Sequence, residues 1–155
     1  MIVVLAAVVA QVKADDLPLR SSILAFGGRA ALAVKEYVEA EAILRESMKA
    51  FDATIPNDWQ AYNIRCYVGE ALLGQDKLAE AETLLTKGYE GMFARRASIP
   101  PGNTVRLRAA VELLKRSAEK RNSTTDVDKW SRELERLEGK ASSKTTQSSN
   151  AASTP

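Results

Sequence analysis

The chain has 155 residues, room for one compact domain or a short solenoid but not for two ordinary domains. Its 22 basic and 20 acidic side chains leave a net charge of +2, a mixed surface with no general pull toward nucleic acid or an anionic membrane. With no histidine and one cysteine, it cannot build a histidine-based triad, a usual zinc site or an internal disulfide.

Ile2 to Ala10 is an apolar run of about nine residues, well short of the roughly 20 that span a bilayer. No basic residue precedes it, and Val12-Lys13-Ala14 makes a poor cleavage site. Residues 1–14 therefore read as the second helix of a truncated preceding unit, its apolar side covering the open end of the stack. A signal-like segment is the alternative.

Asp16 suits an N-cap and Pro18 a first turn, opening a helix to about Val34; a second helix covers about Glu36 to Phe51. Asn57 with Gln60 has the spacing of a capping box for a helix over about Asp58 to Leu73. Trp59, Tyr62, Cys66 and Leu73 fall on its apolar stripe. Gly74-Gln75-Asp76 is a tight turn into a helix from Lys77 to about Ala97, which Pro100-Pro101 stops. Asn103 suits the next cap, before a helix over about Thr104 to Lys120. Thr125-x-x-Asp128 forms a capping box for a last helix to about Glu138, with Val127, Trp130, Leu134 and Leu137 on one side. Residues 139–155 are Ser/Thr-rich and aperiodic, the composition of a disordered tail.

A shift of about 41 residues carries Asp16 onto Asn57, Gly28 onto Gly69 and Ala30 onto Ala71. The same shift lays the segment 36–44 on 77–85. A shift of about 46 carries Asn57 onto Asn103 and Ala81 onto Val127. The expected fold is all-α: antiparallel helical hairpins in three units, about residues 16–56, 57–102 and 103–138, within one domain over 15–138.

Gly69-x-Ala71-Leu72 followed by Leu78, Ala81 and Leu85, and Gly28-x-Ala30 followed by Tyr37, Ala40 and Leu44, resemble the small and large positions of the tetratricopeptide repeat (TPR) family. The resemblance covers about residues 16 to 138 and implies a short right-handed solenoid. Small residues such as Gly69 and Ala81 let the two helices of a hairpin approach closely, while Tyr37 and Leu78 fill the groove to the next hairpin. In the third unit Lys115 stands at the glycine position and Val127 at the alanine position, the pattern of a capping unit. Asn57-Asp58-Trp59-Gln60, Gly88-Tyr89-Glu90-Gly91-Met92, Ile99-Pro100-Pro101 and Lys129-Trp130 are further similar to the C-terminal arrays of planctomycete-type bacterial proteins, often fused to serine/threonine kinases. The chain carries no His-Arg-Asp or Asp-Phe-Gly motif and no phosphate loop after a strand. The resemblance thus implies a regulatory or docking role.

By the family's spacing, the concave face should present Ser22, Arg29, Asn63, Cys66, Glu70, Glu112, Arg116 and Lys120. Asn63 is suited to a peptide backbone, and Arg116 with Lys120 to a carboxylate. The basic-and-Asn pattern of chaperone-tail-binding repeats is not reproduced.

Other features take ordinary structural readings. Gly27-Gly28-Arg29 lacks the lysine and strand of a phosphate loop. Glu39/Glu41 and Glu80/Glu82 sit two apart on a helix, share no side and read as solvated surface. Cys66 has no base to activate it and reads as packed. Trp59 and Trp130 read as packing anchors. The basic group around Arg106, Arg108 and Arg121 is interrupted by Glu112 and Glu119 and reads as a solvated helix.

The sequence thus points to a scaffold that binds a partner peptide or domain, with no catalytic residue, cofactor, metal, nucleic acid or membrane span. A cytoplasmic location is expected. The alternatives are an exported or membrane-attached structural repeat protein, and an enzyme working through carboxylates or lysines in the groove.

Overall fold

The computed structural model describes the backbone of residues 16–150 and the side chains of residues 16–139. The readings of residues 1–14 and of the last residues of the tail lie outside that range. Six α-helices make up the described chain: α1 (Leu17–Ala33), α2 (Tyr37–Thr54), α3 (Trp59–Gly74), α4 (Leu78–Ala94), α5 (Val105–Lys120) and α6 (Thr124–Asn150). A 3-10 turn, Pro101–Asn103, precedes α5, and no strand occurs among the described residues. The helices pair as hairpins, α1 with α2, α3 with α4 and α5 with α6, and the second helix of each packs on the first helix of the next. The first helices also touch one another, α1 with α3 and α3 with α5, so they share one side of the stack. The fold is an all-α hairpin array, as the periodicity predicts.

Each hairpin turns in the same way. Lys35, Asp76 and Asn122 have positive φ of 62°, 59° and 56°, spaced by the same 41 and 46 residues as the sequence repeat. Around each, the chain closes a Schellman motif, in which the last carbonyls of the first helix accept from the two amides that follow it. Lys35 N bonds Leu32 O and Glu36 N bonds Ala31 O, both at 3.0 Å. Lys77 N to Leu72 O and Ser123 N to Ala118 O repeat the wider bond at 3.0 Å. The connections between hairpins are irregular by comparison.

Glycines set how closely the helices approach. A Cβ on Gly69 would lie 2.6 Å from Leu85 Cγ and 3.2 Å from the carbonyl oxygen of Ala81, and one on Gly28 would lie 2.6 Å from Leu44 Cδ2. Ala40, Leu44, Ala81 and Leu85 are all fully buried, as the repeat requires. Gly74 is still helical, and its missing side chain seats the ring of Tyr37 from the preceding hairpin, with ring carbon Cδ2 2.6 Å from where a Cβ would stand. The sequence reading of Gly74 as part of the turn is corrected: the left-handed residue is Asp76. Leu78 packs partly buried on the cluster formed by the first two hairpins. A second cluster joins Trp59, Leu85, Tyr89 and Met92 to Leu107, Leu114 and Trp130. Trp59 and Trp130 are both buried, and Trp130 meets Tyr89 edge-on with ring centroids 6.0 Å apart. Helices α5 and α6 pack less closely than the other pairs, in keeping with Lys115 and Val127 where glycine and alanine stood.

Several predicted boundaries are corrected. Asp16 caps α1, accepting from Leu19 N at 3.2 Å. The cap of α3 is Asp58, which accepts from Gln60 N at 2.8 Å, not Asn57; the Asn57 carbonyl instead accepts from Arg95 Nε at 2.5 Å. Asn103 closes its own 3-10 turn, because Pro100-Pro101-Gly102 folds tightly before a helix can begin, so α5 starts after Thr104. Helix α6 begins at Thr124, just after Ser123, whose Oγ donates to Asp126 Oδ2 at 2.7 Å, so the Ser–Asp pair at its start lies two residues before the Thr125/Asp128 reading. Helix α4 ends at Ala94, where Arg95 N turns back to Met92 O at 3.0 Å, short of Ala97. Helix α6 continues to Asn150, past Gly139 where an aperiodic tail is expected, since extending a formed helix costs far less than nucleating one.

Of the acidic pairs on α2 and α4, Glu41 is not the solvated surface its spacing suggests, while Glu80 stays exposed. Glu41, with only 14% of its side chain exposed, accepts from Arg45 Nε, Lys77 Nζ and Gln75 Nε2, each at 2.8 Å. Glu80 pairs with Arg45 at 2.5 Å and Glu82 with Arg121 at 2.6 Å. These pairs cross hairpin boundaries, where successive helices pack together.

Candidate functional site

Because α1, α3 and the start of α5 lie side by side, their exposed positions converge. They enclose a groove of about 360 Å³. Ser22 and Arg29 from α1 and Asn63 from α3 line it, so three of the eight residues expected on the concave face are brought together. Ser22 Oγ donates to Pro18 O at 3.0 Å within its own helix. Asn63 makes no side-chain hydrogen bond among the described residues, which leaves its amide donor and acceptor free.

The groove also contains residues that the sequence reading does not single out for binding. Phe26 is 71% exposed at its edge, an unusual position for a phenyl ring. Tyr67 forms part of its floor, and the guanidinium carbons of Arg29 and Arg106 lie 5.5 Å and 5.9 Å from the Tyr67 ring centroid. Both distances are within cation–π range. The Tyr67 hydroxyl has no hydrogen-bond partner among the described residues. Phe26 and Tyr67 are separated by the 41-residue repeat, so they occupy one structural position in successive units. That shared aromatic position is the signal in the sequence by which they could be found.

The other five expected residues lie apart from this groove. Glu112 pairs with Arg108 at 2.9 Å, and Arg108 also reaches Glu138 on α6 at 3.2 Å, so Glu112 is engaged within the last hairpin. Lys120 is engaged within the fold: its Nζ pairs with Asp76 and donates to Leu73 O at 3.3 Å. It anchors the α3–α4 turn, so the expectation that it is free to hold a partner's carboxylate is corrected. Burial pushes the Glu70 carboxyl pKa up, opposed by the neighbouring Arg116 charge. Neither Glu70 nor Arg116 lines the groove.

Cys66 is likewise not on the concave face. It is buried, and a side chain on Gly88 would collide with its Sγ. Burial pushes its thiol pKa up to about 12, keeping it protonated and unreactive at neutral pH. Among the described residues, no group of three or more acidic or cysteine side chains is placed to hold a metal ion. None of the described helices is long and apolar enough to cross a membrane.

Compared with protein-family models, with curated proteins and with solved structures, the chain matches none of them.

Proposed function

We propose that the protein is a docking module, a tetratricopeptide-like array that receives an extended segment of a partner protein along its first-helix face and catalyses nothing itself. The observation that carries this reading is the convergence of Ser22, Arg29 and Asn63, from two hairpins, on one groove beside an exposed Phe26. An unburied aromatic ring beside unpaired polar groups is the composition of a recognition surface. Asn63 offers both a donor and an acceptor to a peptide backbone, which is how an extended segment can be held independently of its sequence. The resemblance of the sequence to kinase-linked arrays implies a regulatory or docking role.

Selection from a random-peptide display library tests the reading. Peptides retained by the wild-type chain should lose about tenfold or more in affinity for Phe26→Ala combined with Asn63→Ala, a combination at the surface that leaves the helical circular dichroism unchanged. Selected peptides that bind the double variant as tightly as wild type would place docking elsewhere and refute this site.

A further inference from the structure

We infer that the segment held in this groove is acidic, with two carboxylates no more than about three residues apart next to an apolar side chain. The inference rests on the groove being a docking site and adds the chemistry of its occupant. Charge complementarity is the basis. The groove lining holds the guanidiniums of Arg29 and Arg106 and contains no carboxylate. No salt bridge to Arg29 or Arg106 occurs among the described residues, so neither charge is neutralised from within the fold. Both lie within cation–π range of the Tyr67 ring, which orients two positive charges on the groove without neutralising either.

That arrangement is organised in advance to receive an anion. Arginine positioned on an aromatic ring has already lost much of its rotamer freedom, so less is lost when it grips a carboxylate with its two-pronged donor edge. The two guanidinium carbons can be no farther apart than their 5.5 Å and 5.9 Å distances to the shared centroid laid end to end. An extended chain advances about 3.3 Å per residue, so acidic side chains no more than about three residues apart fit within that bound. Phe26, on the same helix as Arg29 and one turn before it, offers an apolar surface beside that charge.

Fluorescence anisotropy with a labelled dodecapeptide carrying two aspartates two residues apart beside a leucine, and with its asparagine and lysine counterparts, tests this. The aspartate peptide should bind tightest, and its affinity should fall as salt rises. Arg29→Ala and Arg106→Ala should each weaken it by about tenfold. Arg29→Glu with Arg106→Glu should reverse the preference toward the lysine peptide; because both sites are at the surface, folding is checked by the helical dichroism of each variant. Equal binding of the aspartate and asparagine peptides overturns the inference. Where none of the three binds, the display library decides: retained non-acidic peptides that depend on Phe26 and Asn63 overturn the acidic chemistry and keep the docking groove, and an absence of retained peptides overturns both.

Discussion

Lys77 Nζ lies 2.8 Å from a carboxylate oxygen of Glu41, joining the turn of the second hairpin to the second helix of the first. Gln75 Nε2 reaches the same oxygen at 2.8 Å, and Arg45 Nε takes the other at 2.8 Å. Burial alone raises the Glu41 pKa, but the donors from Lys77, Arg45 and Gln75 outweigh it and bring it from 4.5 to about 2.

The pH dependence of stability follows from that shift. A carboxylate whose pKa is lower folded than unfolded stabilises fully above the unfolded value, and the gain is lost as pH falls through the folded value. Glu41→Gln should therefore be less stable than wild type near neutral pH. The difference in urea midpoint between the two should shrink as pH falls from about 4.5 to about 2. A difference that stays constant over that range would show that Glu41 does not act through its charge.

Close approach at Gly69 predicts a different response. Gly69→Ala places a Cβ 2.6 Å from Leu85 Cγ and 3.2 Å from the Ala81 carbonyl, so either α3 or α4 must shift. The expected loss is about 1–3 kcal/mol by urea unfolding. Gly139→Ala, where a Cβ meets nothing within 4 Å, should not destabilise and serves as the control.

The left-handed turn residues give a prediction of opposite sign. Lys35 is exposed with φ 62°, a conformation costing a side-chain-bearing residue about 1–2 kcal/mol. Part of that returns on Lys35→Gly, offset by the greater freedom of glycine in the unfolded chain. A net gain of about 0.5–1 kcal/mol is expected in thermal or urea unfolding.

Ser117 is fully buried on α5, and its Oγ has no hydrogen-bond partner among the described residues. A buried hydroxyl without a partner costs about 1–3 kcal/mol of desolvation. Ser117→Ala should therefore stabilise the chain by about 1 kcal/mol, while Ser47→Ala should destabilise it, because Ser47 Oγ donates to Ser21 O at 2.8 Å across α1 and α2. Unfolding curves of the two variants moving in the same direction would contradict this pair.

The hairpin pattern was legible because small residues recur at fixed offsets, and the positive-φ positions Lys35, Asp76 and Asn122 fall at those same offsets. The caps were less so. Asn57 and Asp58 are adjacent and chemically equivalent as caps, and only the direction of the incoming chain, fixed by Arg95 on the Asn57 carbonyl, selects Asp58. Glu41 reads as surface on its own helix because its partners Gln75 and Lys77 lie more than thirty residues away, on another hairpin. The candidate site was legible only in its first two helices. Ser22, Arg29 and Asn63 follow from the repeat, but Lys120 turns back onto Asp76, and Arg106 reaches Tyr67 from a third unit whose offset differs. Side-chain reach between units is a tertiary property that no local spacing encodes.

Every reading of the groove depends on the second hairpin stacking on the first in the observed register, with Tyr37 seated on Gly74. The most direct measurement is disulfide formation in a chain carrying Tyr37→Cys and Gly74→Cys with Cys66→Ser. A Cβ on Gly74 would lie against the Tyr37 ring, so the two Cβ atoms fall near the roughly 3.8 Å separation that a disulfide needs. Mild oxidation should close the cross-link rapidly and intramolecularly, seen as complete loss of free thiol in the monomer, while the pair Val38→Cys with Gly74→Cys should stay reduced. Slow or purely intermolecular oxidation of the first pair, with the second reacting as readily, would contradict the stacked register and the shared groove built on it.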